Sequence, residues 1–249
     1  MERIKQTLNL SKLTLGTMRF HDKQLTVNQV VDIINEGLEI GINTHHSSFE
    51  YSSYELYSKA LEKSGKGKEI KHIVKLSSPH FKDDAFSAKI LEERVDNQLK
   101  ALHIDSIDVL QWLVRSQPIN DADRLQTLED QQEEIVASIE DLKKKGKIKT
   151  CFSFPYSVNF AKKVLEFDQV DGLVTYLNKE ELEYQEFANT IPFIAIRPLF
   201  AGKLIEKSTD IDAEIISSLQ FVENHKTLLS TIVGINSTKQ LQTYKKYLK

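Results

Sequence analysis

The chain has 249 residues, of which 40% are hydrophobic and 28% are charged, a composition typical of a soluble globular protein with a sizeable core. A net charge of -3 gives no electrostatic basis for binding nucleic acid or an anionic membrane surface. We find no apolar run as long as a membrane span and no signal-peptide core at the N-terminus. Cys151 is the only cysteine, so no internal disulfide forms, and we expect a cytoplasmic protein.

Short runs rich in β-branched residues alternate with helical patterns along the chain, and this alternation predicts parallel β/α units. The candidate strands cover residues 13–15, 42–44, 72–76, 107–112, 148–152, 172–175, 193–196 and 230–234. Eight units in a chain of this length predict a (β/α)8 TIM barrel in a single domain, residues 1–249. A doubly wound open sheet is the alternative, and it is disfavoured because no G-x-G-x-x-G follows the first strand.

The helices between these strands are predicted from apolar stripes and from their end signals. The stripes are Val30, Val31, Ile34 and Leu38, then Leu91, Val95 and Leu99, and then Leu125, Leu128, Ile135, Ile139 and Leu142. Thr26 and Ser157 are expected N-caps, and Gly41 and Gly146 stand where helices should end. Between residues 201 and 229 there is room for about one helix, predicted at 213–224.

Residues 41–51, GINTHHSSFEY, resemble the second strand and following loop of the aldo-keto reductases, which usually have G-x-N-x-x-D-T-A-x-x-Y. Further stretches are similar to that family in the same order along the chain. They are residues 15–18, 74–75, 102–109, 146–149, 197–204 and 232–241. The resemblance implies a (β/α)8 barrel of aldo-keto reductase type.

The resemblance also implies a chemistry: a nicotinamide hydride reduces a carbonyl while a tyrosine supplies the proton. In the family a lysine ammonium lowers the pKa of the tyrosine, an aspartate holds the lysine, and a histidine orients the carbonyl oxygen. Tyr51 and Lys75 occupy the first two positions, whereas His46 replaces the aspartate and Leu113 replaces the histidine. Tyr51, Lys75 and His46 are therefore the candidate catalytic residues.

Neither replacement is conservative. A protonated imidazole at His46 repels an ammonium and a neutral one only accepts a hydrogen bond, while Leu113 offers no hydrogen bond to a substrate. His45 does not substitute for its neighbour, because adjacent residues on a strand point to opposite faces. Neither histidine has the spacing of a metal motif, so we predict no metal site.

The cofactor contacts implied by the resemblance are retained unevenly. The family's Ser-Asn pair and Gln, which bind the carboxamide, are matched by Phe154-Pro155 and Val174, and Leu177 replaces the stacking aromatic. The two late loops keep groups that suit a phosphate. The candidate cofactor-binding residues are Asn178, Leu199, Gly202, Gly234, Asn236, Ser237 and Lys239. NADP(H) and NAD(H) both remain open, as does the absence of a cofactor, although Lys239 favours a ribose phosphate.

Trp112, Leu113, Phe154 and Arg197 are the candidate substrate-pocket residues. For Arg197, anion binding is preferred over pairing with a neighbouring carboxylate. For Trp112 and Phe154, ordinary core packing is the alternative.

Two functions are compatible with the sequence. The first is an NAD(P)(H)-dependent oxidoreductase acting on a small carbonyl or sugar-type substrate through a modified active site. The second is a non-redox descendant of the family, either a ligand-binding pseudoenzyme or a proton-transfer enzyme using Tyr51, Lys75 and His46. Both imply a small-molecule ligand, and the sequence does not determine the oligomeric state.

Overall fold

A computed structural model describes residues 2–115 and 120–249. Within these residues, eight parallel strands follow one another in chain order and close into a barrel, which confirms the predicted (β/α)8 fold. The strands are β1 Leu13–Gly16, β2 Thr44–Ser47, β3 Lys71–Ser77, β4 Ile107–Leu113, β5 Ile148–Ser153, β6 Gly172–Tyr176, β7 Phe193–Ile196 and β8 Leu228–Gly234.

The position predicted for β2 was wrong by two residues. The strand begins at Thr44 rather than Ile42. The Ser11 hydroxyl explains the late start, because it accepts hydrogen bonds from the backbone N–H groups of Asn43 and Thr44 at 3.1 and 3.0 Å. The Ser11 side chain thus occupies the backbone N–H groups that would otherwise extend the hydrogen bonding of β2 towards its N-terminus.

Helices separate the strands. They are α1 Glu2–Leu8, α2 Val27–Glu39, α3 Tyr54–Ser64, α4 Ala88–Leu102, α5 Asp121–Asp130, α6 Gln132–Lys144, α7 Val158–Val164, α8 Phe187–Thr190, α9 Lys203–Glu206, α10 Ile211–Glu223 and α11 Thr238–Leu248. The helix predicted at 213–224 is α10, and the short α9 before it was not predicted. None of the helices in the described residues is both long enough and apolar enough to cross a membrane.

The helix-end signals operate as their chemistry predicts. Thr26 and Gln29 form a reciprocal capping box at the start of α2, and the Ser157 hydroxyl accepts from the N–H of Phe160 at the start of α7. Gly41 and Gly146 have φ of 89° and 71°, the left-handed conformation that glycine adopts without a steric penalty.

One predicted apolar stripe lies on two helices instead of one. The helical conformation is interrupted at Gln131, between α5 and α6, and the hydrogen bonds of the Gln131 side chain account for the interruption. Its Oε1 accepts from the N–H of Phe86 at 2.9 Å, and its Nε2 donates to the carbonyl of Phe86 at 3.3 Å. The apolar residues from Leu125 to Leu142 are therefore divided between α5 and α6.

The chain forms two compact units, Met1–Lys71 with Thr175–Lys249, and His72–Val174. In the first unit β1 pairs with β2 and β8, and β7 pairs with β8. In the second unit β4 pairs with β3 and β5, and β5 pairs with β6. The assignment of the whole chain to a single domain stays a prediction.

Candidate active site

The two histidines of β2 point in opposite directions. His45 is buried and its Nδ1 lies 2.9 Å from the Tyr57 hydroxyl on α3, so it faces the helix layer. His46 is also buried and makes an edge contact with the Tyr51 ring, with centroids 5.9 Å apart and planes at 61°. The alternation expected for a strand is therefore present, and His46 and Tyr51 are brought together.

Backbone hydrogen bonds hold the end of β2 in place. The carbonyl of His46 accepts from both the N–H and the hydroxyl of Thr17, at 3.2 and 3.1 Å. Tyr51 lies in a tight turn, since its N–H donates to the Ser48 carbonyl and its own carbonyl accepts from the Tyr54 N–H. Tyr51 is thus placed by a defined backbone rather than by its side chain alone.

In the second unit, Lys75 lies half-buried on β3, in register with Gln111 of β4. Gln111 is in turn in register with Phe152 of β5, so these three side chains form a row on one face of the sheet. Gln111 is buried and is the register partner of Lys75 on the neighbouring strand. Sequence reasoning missed Gln111, although a glutamine inside the apolar run of β4 was a visible signal.

The predicted pocket residues of the second unit are all buried, but they differ in the contacts that they make. Trp112 is fully buried, its indole N–H donates to the Ser78 carbonyl at 2.7 Å, and its ring contacts Phe86 edge-on. These are the contacts of a core residue. Leu113 is fully buried, and Phe154 is 6% exposed and packs against Tyr156 with centroids 5.0 Å apart.

The Asn178 side chain is completely engaged by its own loop and by the backbone at the end of β7. Its Nδ2 donates to the Glu181 carboxylate at 2.6 Å and to the Arg197 carbonyl at 3.0 Å. Its Oδ1 accepts from the N–H groups of Glu180 and Glu181, both at 2.9 Å. A cofactor carboxamide would have to displace one of these bonds, so the Asn178 side chain is assigned to the loop.

Arg197 pairs with a carboxylate, which was the less favoured of its two predicted roles. Its guanidinium lies 3.2 Å from Glu181 and 4.8 Å from the centre of the Tyr176 ring. Its backbone has φ of 58°, an unfavourable left-handed conformation for a residue with a side chain. The Asn178 bond to its carbonyl helps to hold that conformation.

The loop after β7 contains the candidate residues Leu199 and Gly202. Phe200, Ala201 and Gly202 all have positive φ, so the loop makes a tight left-handed turn immediately before α9. The N–H of Gly202 donates to the Leu199 carbonyl at 2.9 Å, which closes the turn.

The candidate residues after β8 surround the N-terminus of α11. Ser237 is the N-cap and accepts from the Gln240 N–H, while the Gln240 side chain accepts from the Asn236 N–H at 2.7 Å. Gly234, Ser237 and Lys239 are exposed, and the Oδ1 of Asn236 is buried without a hydrogen-bond partner in the described residues. Exposed donors and a lysine at a helix N-terminus suit an anionic group.

Neither a metal nor a reactive thiol is indicated. The described residues contain no cluster of three or more histidine, cysteine or acidic side chains that could hold an ion. Cys151 is buried, and burial raises the pKa of its thiol well above the ordinary value. A thiol that stays protonated is a poor nucleophile.

Comparisons with known proteins agree on one family. The family model for the aldo/keto reductase family matches residues 12–220. No curated protein sequence matches the chain significantly.

Solved aldo-keto reductase structures share the fold at low identity. A protein of Pseudomonas aeruginosa named as an aldo-keto reductase has a TM-score of 0.75 at 20% identity, covering 96% of this chain and 89% of that one. A Bacillus halodurans aldo-keto reductase in its holo form has 0.74 at 17% identity, covering 96% and 87%. A Klebsiella pneumoniae aldo/keto reductase in complex with NADP and acetate has 0.69 at 18% identity, covering 96% and 86%. With a closed (β/α)8 barrel and a family match over residues 12–220, the chain belongs to the aldo/keto reductase family.

Proposed function

We propose that this chain is an NAD(P)(H)-dependent oxidoreductase that acts on a small carbonyl or sugar-type substrate through a modified active site. The observation that carries the proposal is the family match over residues 12–220, a range that includes Tyr51 and Lys75. The Klebsiella relatives are described in complex with NADP or NADPH, which supports the same class of cofactor here. The lone, buried cysteine supports a cytoplasmic location.

The proposal gives separate roles to three side chains. Tyr51 exchanges a proton with the carbonyl oxygen, and Lys75 has the role of the lysine in the family pattern. His46, packed edge-on against Tyr51, fixes the position of the phenol ring. A bound nicotinamide would supply or accept the hydride.

The groups after β7 and β8 fit the phosphate part of such a cofactor. Ser237 caps α11 and is exposed, and Lys239 in the first turn adds an exposed positive charge. The helix dipole and the unpaired N–H groups of a first turn favour an anion at that position. These residues are therefore assigned to phosphate binding.

The carboxamide part has fewer partners, and this observation favours the second candidate function. Val174 and Leu177 are fully buried apolar residues, and the Asn178 amide is already engaged. Leu113, at the position of the family's histidine, is also buried and apolar. A non-redox descendant, either a ligand-binding pseudoenzyme or a proton-transfer enzyme, follows if these positions leave no group for the nicotinamide.

Nucleotide binding decides between the two candidates. We expect NADPH or NADH to shift the fluorescence and the melting temperature of the wild-type protein. We also expect Lys239→Ala to weaken NADPH binding by about tenfold, the cost of a lost charge-assisted contact. Lys245→Ala, at the other end of α11, is the matched control. No response to either nucleotide supports the non-redox descendant and contradicts the proposal.

Turnover tests the catalytic assignment. With a panel of aldehydes and aldoses, we expect Tyr51→Phe to lower kcat/KM by at least about a hundredfold, the typical contribution of general acid catalysis. Tyr247→Phe, on the outer helix α11, removes an equivalent hydroxyl and should leave kcat/KM unchanged. Equal turnover by wild type and Tyr51→Phe would remove Tyr51 from the chemistry.

A further inference from the structure

The hydroxyl of Ser53 is turned away from the helix that this residue precedes. Ser53 is the N-cap of α3, a position where a serine ordinarily accepts a hydrogen bond from the first turn. Within the described residues its side chain makes no such bond. The hydroxyl is buried and donates instead to the carbonyl of Thr17 at 2.8 Å, with the Met18 carbonyl 3.2 Å away. It therefore joins α3 to the loop after β1 rather than stabilising its own helix.

Thr17 continues this connection to the end of β2. The residue is fully buried and follows β1 directly. Its N–H and its hydroxyl both donate to the carbonyl of His46, at 3.2 and 3.1 Å. Because Thr17 accepts from Ser53 and donates to His46, it ties the start of α3 to the end of β2.

The segment between these two ties is the loop that carries Tyr51. The loop runs from the end of β2 at Ser47 to the start of α3 at Tyr54. Within it the Tyr51 N–H donates to the Ser48 carbonyl at 3.1 Å, and the Tyr51 carbonyl accepts from the Tyr54 N–H at 2.9 Å. Tyr51 is only half-buried, so the protein core does not enclose its side chain. The position of the phenol therefore depends on how firmly the two ends of the loop are held.

Removal of the Ser53 hydroxyl releases one end of this loop and leaves the other in place. The β2 end stays in the barrel, where His46 is in register with Gly16 of β1. The α3 end loses its hydrogen bond to the loop after β1. Tyr51 is then free to shift relative to the His46 ring, whose centre lies 5.9 Å from its own. A displacement of about 1 Å at a reacting group lowers a rate by as much as about a hundredfold.

We propose that Ser53 is a positioning residue for the proton transfer at Tyr51. Through Thr17, its hydroxyl holds the loop in the conformation that sets the phenol against His46. Ser53 is fully buried, so it acts through the loop and not by contact with a ligand. This role rests on the proposed function, because it belongs to the same reaction.

A double-mutant cycle on turnover tests whether Ser53 acts through Tyr51. With a carbonyl substrate that wild type reduces, we expect Ser53→Ala to lower kcat by about tenfold and to change KM by less than about twofold, because the substrate still binds while the phenol is displaced. In the Tyr51→Phe background, we expect Ser53→Ala to have no further effect on the remaining turnover. Ser64→Ala, at the far end of α3, removes a hydroxyl that donates to the Leu61 carbonyl and is the matched control.

An NMR measurement without substrate or nucleotide tests the same tie. The Tyr51 ring shifts the signals of the His46 ring protons, because the two rings are in edge contact. Tyr51→Leu removes the ring and so gives the size of that shift. We expect Ser53→Ala to move the His46 signals towards their positions in Tyr51→Leu, and Ser64→Ala to leave them where wild type has them.

Two outcomes would overturn the role of Ser53. One is a kcat that is unchanged in Ser53→Ala, or that falls by the same factor in the wild-type and Tyr51→Phe backgrounds. The other is a set of His46 signals that is the same in wild type and Ser53→Ala. If Ser53→Ala does not fold, Thr17→Val, which removes only the hydroxyl bond to His46, takes its place in both measurements. If wild type reduces no carbonyl, the proposed function fails, and the NMR comparison still decides whether Ser53 holds Tyr51 in place.

Discussion

At the scale of single residues, His45 and His46 point to opposite faces of β2. His45 packs against the helix layer, whereas His46 lies beside the candidate catalytic residue Tyr51. His45 and Tyr57 are both fully buried, and their side chains form a hydrogen bond between β2 and α3. Burial raises the pKa of the Tyr57 hydroxyl well above its ordinary value, so the phenol stays neutral. His46, on the other face, contacts Tyr51 and stands where the family pattern has an aspartate.

The His45–Tyr57 bond should contribute to stability and not to ligand binding. We expect Tyr57→Phe to lower the free energy of unfolding by about 1–2 kcal/mol, because the histidine nitrogen is left buried without its partner. Urea denaturation measures the change, and Tyr244→Phe, a second buried tyrosine, is the control for loss of a phenol hydroxyl. A stability equal to that of wild type would show that the bond adds nothing.

At the scale of elements, the loop between β6 and α8 is organised around one amide. Asn178 joins the backbone of residues 180 and 181 to the carbonyl of Arg197 at the end of β7. The same loop supplies Glu181 as the partner of the Arg197 guanidinium. A left-handed residue is tolerated at Arg197 because several contacts determine its conformation together.

This loop should loosen when its central amide is removed. We expect Asn178→Ala to lower the free energy of unfolding by about 2–3 kcal/mol, since three part-buried backbone groups lose their partner. Limited proteolysis should also become faster at Lys179. Lys179→Ala is the matched control, because it removes only the partly exposed contacts with Glu214 and Ser217 and should cost about 1 kcal/mol or less. Similar losses in the two variants would contradict the central role of Asn178.

At the scale of the whole molecule, ion pairs shift the titration of both acids and bases. Hydrogen bonds from Lys145 and Lys147 lower the pKa of Glu92 to about 2. Burial opposes ionisation of Asp83, but the Arg94 guanidinium and the backbone N–H of His80 together outweigh it and lower the pKa of that carboxyl. Hydrogen bonds that Lys145 donates to Asp141 and Glu92 raise the pKa of its ammonium.

These shifts predict how stability depends on pH. A depressed carboxyl pKa adds stability above its unfolded value of about 4, and that stability is lost as the pH falls through the folded pKa. A raised lysine pKa adds stability below about 10.4, lost as the pH rises through its folded pKa. We therefore expect a plateau between about pH 5 and 9 and a decline towards pH 2, measured by thermal unfolding.

Asp83 should account for part of the acid decline, because it is the less exposed of the shifted carboxylates. We expect Asp83→Asn to be less stable than wild type at pH 7 and to lose less stability between about pH 5 and 2. High salt should screen the exposed Glu92 pairs more than the Asp83 pair. An acid decline of equal size in wild type and Asp83→Asn would assign the effect to other groups.

The sequence by itself determined the architecture of this protein. Hydrophobic periodicity, N-caps such as Thr26 and Ser157, and helix-ending glycines are local signals, and each of them corresponds to an element of the barrel. The same local order of residues carried the family resemblance, including Tyr51 and Lys75. These features depend on spacing along the chain, which the sequence contains in full.

Only the tertiary structure decided which polar groups are already occupied and which are left over. Asn178 matched the family pattern, yet its partners come from a carbonyl 19 residues away as well as from its own loop. Asp121 meets Ser157 across 36 residues, and the buried state of Arg124 depends on an aromatic from the next β/α unit. Hydrogen-bond partners so distant in sequence are set by packing, and therefore no local pattern reveals them.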